Sequence, residues 1–253
     1  MIYRITSRSN QKVKELLKER DRDDCFIFEG EKLVRDILKR DMETWKLIVN
    51  SKKEDELDIS GKTIHETWYV NETVLKKISS LKDTPDFIAV LKIKKRRVNL
   101  NKDRIIVVLD NVQDPGNAGS IFRCAAAFGI DSIALTGACV KPNNPRFLRA
   151  AQASFFEVDF QGFADIDTLI KKATAKNYNI YLTSSRSMKR STVPGEVKFP
   201  CLLVFGNEGQ GLDEELFTRF PALTIPQEKS VESLNVGVSA CIIMYEMTKE
   251  DIR

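Results

Sequence analysis

Residues Arg104–Asp110 read RIIVVLD, with five consecutive apolar residues and no polar position among them. A strand covered on one side alternates apolar and polar residues. An unbroken β-branched run marks a strand buried on both faces, as in a parallel sheet. Parallel neighbours cannot be joined by a tight hairpin, so each strand must be followed by a crossover, usually a helix. The sequence obliges. Pro115–Gly116 sets a turn, Asn117–Gly119 leads into a helix with Ile121, Phe122, Ala125 and Phe128 apolar, and Gly129 closes it. Further strands are predicted at Ser132–Leu135, near 156–160, at Asn179–Ser185, Cys201–Gly206 and over ALTIP (222–226). Helices are predicted near 146–152, near 165–175, from Asp213, and from a first turn reading Glu232, Ser233, Leu234, Asn235. Repeated strand-then-helix units with short connections predict an α/β domain, an open parallel sheet with helices on both sides.

The front of the chain shows smaller units of the same kind. Ser9 is placed to cap a helix over about 10–20, CFIFE (Cys25–Glu29) reads as a strand, and Glu31–Arg40 as a helix. Lys46–Asn50 and Trp68–Val70 read as strands, 72–81 as a helix and Asp86–Ile93 as a last strand. A small α/β domain over 1–97 is therefore expected, joined through a basic passage at about 92–104 to a larger domain over 98–253. Charge separates the two parts as well. Residues 1–100 hold 23 Lys+Arg against 18 Asp+Glu, and residues 101–253 hold 17 against 18. A basic front beside a near-neutral back suggests that the front meets a polyanion, with Arg20, Arg22, Lys32 and Arg35 in reach of phosphates.

Several chemistries are set aside by what the chain lacks. No run of about 18 apolar residues is present, and the first twenty residues lack the apolar core of a secretory signal, so the reading is cytoplasmic with no membrane span. The five cysteines (Cys25, Cys124, Cys139, Cys201, Cys241) are scattered, with no C-x-x-C pair; they read as reduced, mostly buried thiols, and no metal is expected. His65 is the only histidine, so a Ser-His-Asp mechanism would rest on it alone.

In an open parallel sheet, ligands sit beyond the carboxyl ends of the strands. Three segments emerge there: DPGNAGSIFR (Asp114–Arg123), FGNEGQGL (Phe205–Leu212) and IPQEKSVESLN (Ile225–Asn235). A phosphate loop would need GxxxxGK[ST], which does not occur. A dinucleotide fingerprint would need GxGxxG and an acid ending the next strand; here the loop is GNAG and that strand ends in Leu135-Thr136-Gly137.

Taken together, Asn117, Gly119 and Arg123 (NxGxxxR), FGNEGQGL, and IPQEKSVESLNVGVSACIIMYE (Ile225–Glu246) resemble the SpoU family of RNA ribose 2′-O-methyltransferases within the SPOUT superfamily. The likeness covers 104–253, and position 237 departs from it, being Gly where Ala or Ser is common. In the front part, ITSRSNQKVKELL, FIFEGEKLV and TPDFIAVL resemble the small substrate-binding domain carried by many members. The resemblance implies a SPOUT domain whose C-terminal segment is tucked through a loop as a deep trefoil knot. It implies S-adenosyl-L-methionine as cofactor, its adenine held by backbone groups of Gly206, Ile225 and Leu234 with Thr183 on the same side. It implies a homodimer acting on RNA, ribosomal RNA favoured over transfer RNA, with the C-terminal helix packed partly on its twin.

By the same resemblance Arg123 engages the 2′-hydroxyl and a nearby phosphate. A guanidinium stays protonated below a pH of about 12, so its natural role is to stabilise the developing alkoxide. The proton then leaves through water, a phosphate oxygen or a perturbed Arg123. Asn117 caps its helix or hydrogen-bonds RNA, Glu208 holds Arg123 or Asn117, and Ser233 and Asn235 serve the ligand side or cap the last helix. Lys229 and Arg149 are further phosphate contacts. The competing readings are a transfer RNA enzyme, a relative that methylates a base nitrogen, and a non-catalytic RNA-binding member of the same fold.

Overall fold

The computed structural model describes residues 1–93, 97–185, 191–228 and 230–251, so Lys229 and part of the basic passage lie outside the described residues. Contacts divide the chain into two compact units. Unit 1 is Met1–Lys94 together with Lys141–Arg149, and unit 2 is Lys95–Val140 with Ala150–Arg253.

Unit 1 contains β1 (Ile2–Ile5), α1 (Gln11–Glu19), β2 (Cys25–Glu29), α2 (Glu31–Lys39), β3 (Thr44–Asn50), β4 (Ile64–Val70), α3 (Glu72–Ile78) and β5 (Phe87–Lys92). The sheet order is β1-β4-β3-β5-β2, with β4 parallel to β1 and β3, and β5 antiparallel to β3 and β2. One face packs Ile27, Ile48, Trp68, Ile88 and Val90 against Val13 and Leu16 of α1 and Val74, Leu75 and Ile78 of α3. The cap of α1 is Asn10, whose side chain accepts from the Lys12 N–H, and not Ser9. Strand β1 has no counterpart in the sequence reading, because only Ile5 of IYRI is buried and its pattern is that of an exposed edge. It is held by its backbone, the chain-end ammonium donating to His65 O at 2.7 Å and Thr67 N to Met1 O at 2.8 Å. Of the four cations proposed for phosphates, three are engaged within the unit. Arg20 donates to Ile78 O, Arg22 pairs with Asp24, and Arg35 pairs with Glu31 and donates to Glu56 O. In the segment returned from later in the chain, Asn143 Nδ2 donates to Arg22 O and Lys141 pairs with Asp23.

Unit 2 contains β6 (Ile105–Asp110), α4 (Pro115–Ala127), β7 (Ser132–Thr136), β8 (Asp159–Gly162), α6 (Ile166–Thr174), β9 (Asn179–Ser184), β10 (Ser191–Thr192), β11 (Cys201–Phe205), α7 (Leu216–Arg219), β12 (Ala222–Thr224) and α8 (Val236–Thr248); in chain order α5 (Pro145–Ala151) falls between β7 and β8, with all but its last two residues in the segment grouped with unit 1. The seven strands run β10-β12-β9-β11-β6-β7-β8, every pair parallel. Ile106, Val108, Leu202 and Val204 are fully buried against Leu169, Ile170 and Ala173 of α6. On the other side Phe122 of α4 meets Phe155 and Phe160. Three boundaries differ from expectation. The aromatic run before β8 is a 3₁₀ turn (Gln152–Phe156), α7 starts at Leu216 and not Asp213, and α8 starts at Val236 with Asn235 as its cap.

The cysteines correct one expectation. Cys124 of α4 and Cys241 of α8 form a disulfide across a Cα–Cα distance of 5.5 Å, so not all five are thiols. Cys25, Cys139 and Cys201 are free. Burial pushes the Cys25 and Cys139 thiols up to about 11 and the Cys201 thiol up to about 12. Ellman's reagent at pH 8 should therefore react slowly with the native protein, because little thiolate is present. In denaturant it should count three thiols without reductant and five after reduction. Five thiols before reduction would mean that Cys124 and Cys241 are not joined.

Candidate active site

At the carboxyl edge of the unit 2 sheet, chain order reverses around β6 and β11: β7 and β8 extend to one side, and β9, β12 and β10 to the other. The loops leaving β6, β11 and β12 are the three segments singled out in the sequence. Each has a local reason for its shape.

After β6 the chain turns at Asn111, whose φ of 56° lies in the left-handed region that Asn tolerates. Asp114 then caps α4, its carboxylate accepting from Asn117 N at 2.7 Å, with Pro115 at the first helical position. Asn117 is thus not the cap; it stands inside the first turn, and its side chain is left for other work. After β11, Asn207 bridges to Gly211, and its Oδ1 accepts from Gly209 N and Gln210 N at 2.9 and 3.0 Å. Its Nδ2 reaches Asn111 O at 2.9 Å, tying the second loop to the first. Gly206 is required here, since a Cβ would stand 2.7 Å from Leu212 N and overlap the Gly211 main chain. After β12, Asn235 caps α8, its Oδ1 accepting from Gly237 N and Val238 N at 2.9 and 3.2 Å.

Three side chains then join the loops. The Glu208 carboxylate accepts from Asn117 Nδ2 at 3.1 Å, and also from the main-chain N–H groups of Asp114 and Gln113 at 3.2 and 3.4 Å. Asn117 Oδ1 in turn accepts from Asn235 Nδ2 at 2.9 Å. An ionised carboxylate can only accept and a main-chain N–H can only donate. Glu208 therefore obliges Asn117 to present its amide nitrogen, and the α8 N–H groups oblige Asn235 to present its oxygen. The central bond then has the one remaining polarity. A Cβ at Gly237 would be in ordinary contact with Asn117 O at 3.6 Å and tight only against the cap, 3.2 Å from Asn235 Oδ1.

The other sequence candidates are placed as follows. Arg123 is exposed on α4 and forms no hydrogen bond or ion pair among the described residues. Ser233 is exposed, two residues before the cap, with no polar partner among the described residues. Thr183, on β9, donates to Val204 O at 2.9 Å. Ile225 and Leu234 are half-buried in their loop. Arg149 falls in the segment grouped with unit 1, and His65 pairs with Glu43 in unit 1. Sequence reasoning missed Asp114, Asn111 and Asn207. An Asp-Pro pair opening a helix was a readable signal for Asp114, whereas nothing local marks Asn111.

Comparison with known proteins adds to this geometry. Residues 104–245 match the model of the SpoU rRNA Methylase family, and residues 10–89 match an MRM3-like substrate binding domain. An uncharacterized tRNA/rRNA methyltransferase of Synechocystis sp. is 31% identical over 76% of this chain and 70% of its own length. The 23S rRNA (guanosine(2553)-2′-O)-methyltransferase RlmP of Bacillus subtilis is 29% identical over 96% of this chain and 98% of its own. The crystal structure of an AdoMet-bound rRNA methyltransferase from Sinorhizobium meliloti superposes with a TM-score of 0.81, at 25% identity, covering 100% of this chain and 99% of that one.

Two substitutions separate the cap from the bond between the loops. Asn235→Ala should lower stability by about 1 kcal/mol, the usual loss for a helix cap. Asn235→Asp keeps a cap oxygen and should unfold in urea within about 0.5 kcal/mol of the parent. It nevertheless sets oxygen against Asn117 Oδ1, so the Asn117 side-chain amide resonances should shift. Equal losses in the two variants would show that the cap is not what Asn235 contributes to stability.

Proposed function

The chain belongs to the SpoU rRNA methylase family, and from that premise we propose that it transfers the methyl group of S-adenosylmethionine to a ribose 2′-hydroxyl of RNA, with 23S ribosomal RNA as substrate. The observation that carries the reading is the Glu208–Asn117–Asn235 chain of hydrogen bonds, which draws three separated loops into one place. The preference for ribosomal RNA is supported by the Bacillus subtilis relative, which is matched through both units and acts on 23S rRNA. A cytoplasmic location follows from that substrate; among the described residues no helix is long and apolar enough to cross a membrane.

The main-chain groups of Gly206, Ile225 and Leu234 suit an adenine edge, which needs donors and acceptors at fixed positions and no charge. Thr183 stands on the same side. When bound there, the cofactor supplies an electrophilic methyl group on a sulfonium. The protein's own part is alignment and charge. Holding the hydroxyl in line with the methyl–sulfur bond can account for about 7–11 kcal/mol of the barrier. Asn117 and Asn235, each fixed by its neighbours, frame the site with rigid amides. Ser233 contributes a hydroxyl from the third loop, and the unpaired Arg123 guanidinium stabilises the alkoxide that develops as the proton leaves to water or phosphate.

We assign unit 1 to RNA binding. Cations beside rings support this: Lys92 lies over the Trp45 ring at 3.5 Å, and Lys12, which also pairs with Glu66, over Tyr3 at 3.9 Å. A homodimer through α8 is supported by Val238, Ile242 and Tyr245, exposed at 48%, 37% and 49% and spaced to form one stripe. The trefoil knot stays a proposal too, supported by the return of the Ile225–Asn235 loop to the loops after β6 and β11.

Arg123→Ala should abolish labelled methyl transfer to undermodified 23S rRNA while calorimetry still detects S-adenosylmethionine binding. Parent-like rates would remove Arg123 from the chemistry, and a label mapping to transfer RNA or to a base would overturn the substrate assignment. Ile242→Glu should halve the mass measured by sedimentation; an unchanged mass would place the interface elsewhere.

A further inference from the structure

Unit 2 holds an open cleft of about 560 Å³ at the other edge of its sheet, away from the candidate active site. Its lining comes from the residues that lead into β6, β9 and β11, the amino ends of those strands: Lys102, Asp103, Arg104, Lys176, Tyr178 and Phe199. The volume is that of a small-molecule site.

The charges within it are unevenly satisfied. Asp103 accepts from Asn99 N at 2.7 Å and Ser132 Oγ at 2.8 Å, and Asp251 pairs with Arg104 at 2.7 Å. Beside them the Asp131 carboxylate takes the main-chain N–H groups of Arg104 and Ile105 at 2.8 and 3.0 Å. The Tyr178 hydroxyl donates to Asp103 O. Every carboxylate here is occupied. Lys102 and Lys176, by contrast, are exposed and form no ion pair among the described residues. In the same lining the Arg104 guanidinium lies 4.1 Å over the Phe199 ring.

Two ammonium groups with no ion pair among the described residues, in one lining with a guanidinium–ring pair, fit a ligand with a flat aromatic part and a phosphate. We propose that this cleft binds a phosphorylated ribonucleotide, its base stacked on the Arg104–Phe199 pair and its phosphate held by Lys102 and Lys176. Arg guanidinium planes and aromatic rings are the surfaces on which unpaired bases stack in protein–RNA complexes. The nucleotide is either part of a single-stranded RNA or a free nucleoside monophosphate.

The full chain is titrated with a fluorescent single-stranded oligouridylate and, by equilibrium dialysis, with adenosine monophosphate. The Lys102→Ala/Lys176→Ala variant is compared with Lys171→Ala/Lys172→Ala, which removes the same charge from exposed positions on α6. Loss of two phosphate contacts should weaken oligonucleotide binding about tenfold and flatten its salt dependence by about 1.4 in the log–log slope. Weakening of the oligonucleotide alone identifies a strand as the ligand, and weakening of both probes admits the free nucleotide. Equal weakening by the α6 variant, or no weakening of either probe, overturns the proposal. S-adenosylmethionine binding is measured in parallel. Its absence would count against the methyl-transfer reading and leave the cleft's result standing.

Discussion

Acceptor-only and donor-only groups at its two ends dictate the polarity of the Glu208–Asn117–Asn235 chain. A carboxylate at one end and two main-chain N–H groups at the other leave each amide one orientation that satisfies every partner. Reversing either amide sets oxygen against oxygen or nitrogen against nitrogen. The loops after β6, β11 and β12 can therefore close together only in this register. The same device recurs one layer deeper, where Asn207 holds its own loop with Oδ1 and the first loop with Nδ2. Amides suit these positions because each carries both polarities at one end of a short side chain.

Much of unit 2 was legible because burial on both faces writes itself into the sequence. IIVVL and CLLVF are unbroken apolar runs, and both lie in fully buried parallel strands at the centre of the sheet. Asn117, Glu208 and Asn235 were legible as candidates through the family resemblance and their place at strand ends, and Glu208 holding Asn117 was one of two readings offered; the Asn117–Asn235 bond was not legible. It depends on loop backbones such as the left-handed turn at Asn111, which no periodicity announces. Helix starts were misplaced by one to a few residues. Ser9 stands beside Asn10 and Ser233 near Asn235, so two capping residues compete at each start, and at α8 the chosen cap, Asn235, is also the residue bonded to Asn117.

Unit 1 shows the opposite failure. Lys46 begins a predicted strand and would pass for a solvated end, yet it is buried. Its ammonium lies 2.9 Å from the centre of the Trp45 ring and 3.7 Å from Glu19, whose Oε2 has no hydrogen-bond partner among the described residues. Burial lowers the Lys46 pKa, and Glu19 pulls it back up. The cost of desolvating that charge is met by ring faces and a carboxylate from other elements, and a local pattern cannot encode them.

Magnitudes assign the polar chain its task. Its members are exposed or half-buried, and exposed hydrogen bonds contribute about 0.5–1.5 kcal/mol each. A single large-to-small change among the buried strands, such as Leu203→Ala, costs about 2–5 kcal/mol. The fold therefore rests on the apolar sheet, and loss of the Asn117–Asn235 bond removes little of its stability. What that bond controls is position. A loop displaced by 1 Å can cost about a hundredfold in rate without unfolding anything. Polar residues whose contribution to stability is small, yet whose orientations are fully determined, are what a site needs when its chemistry is alignment.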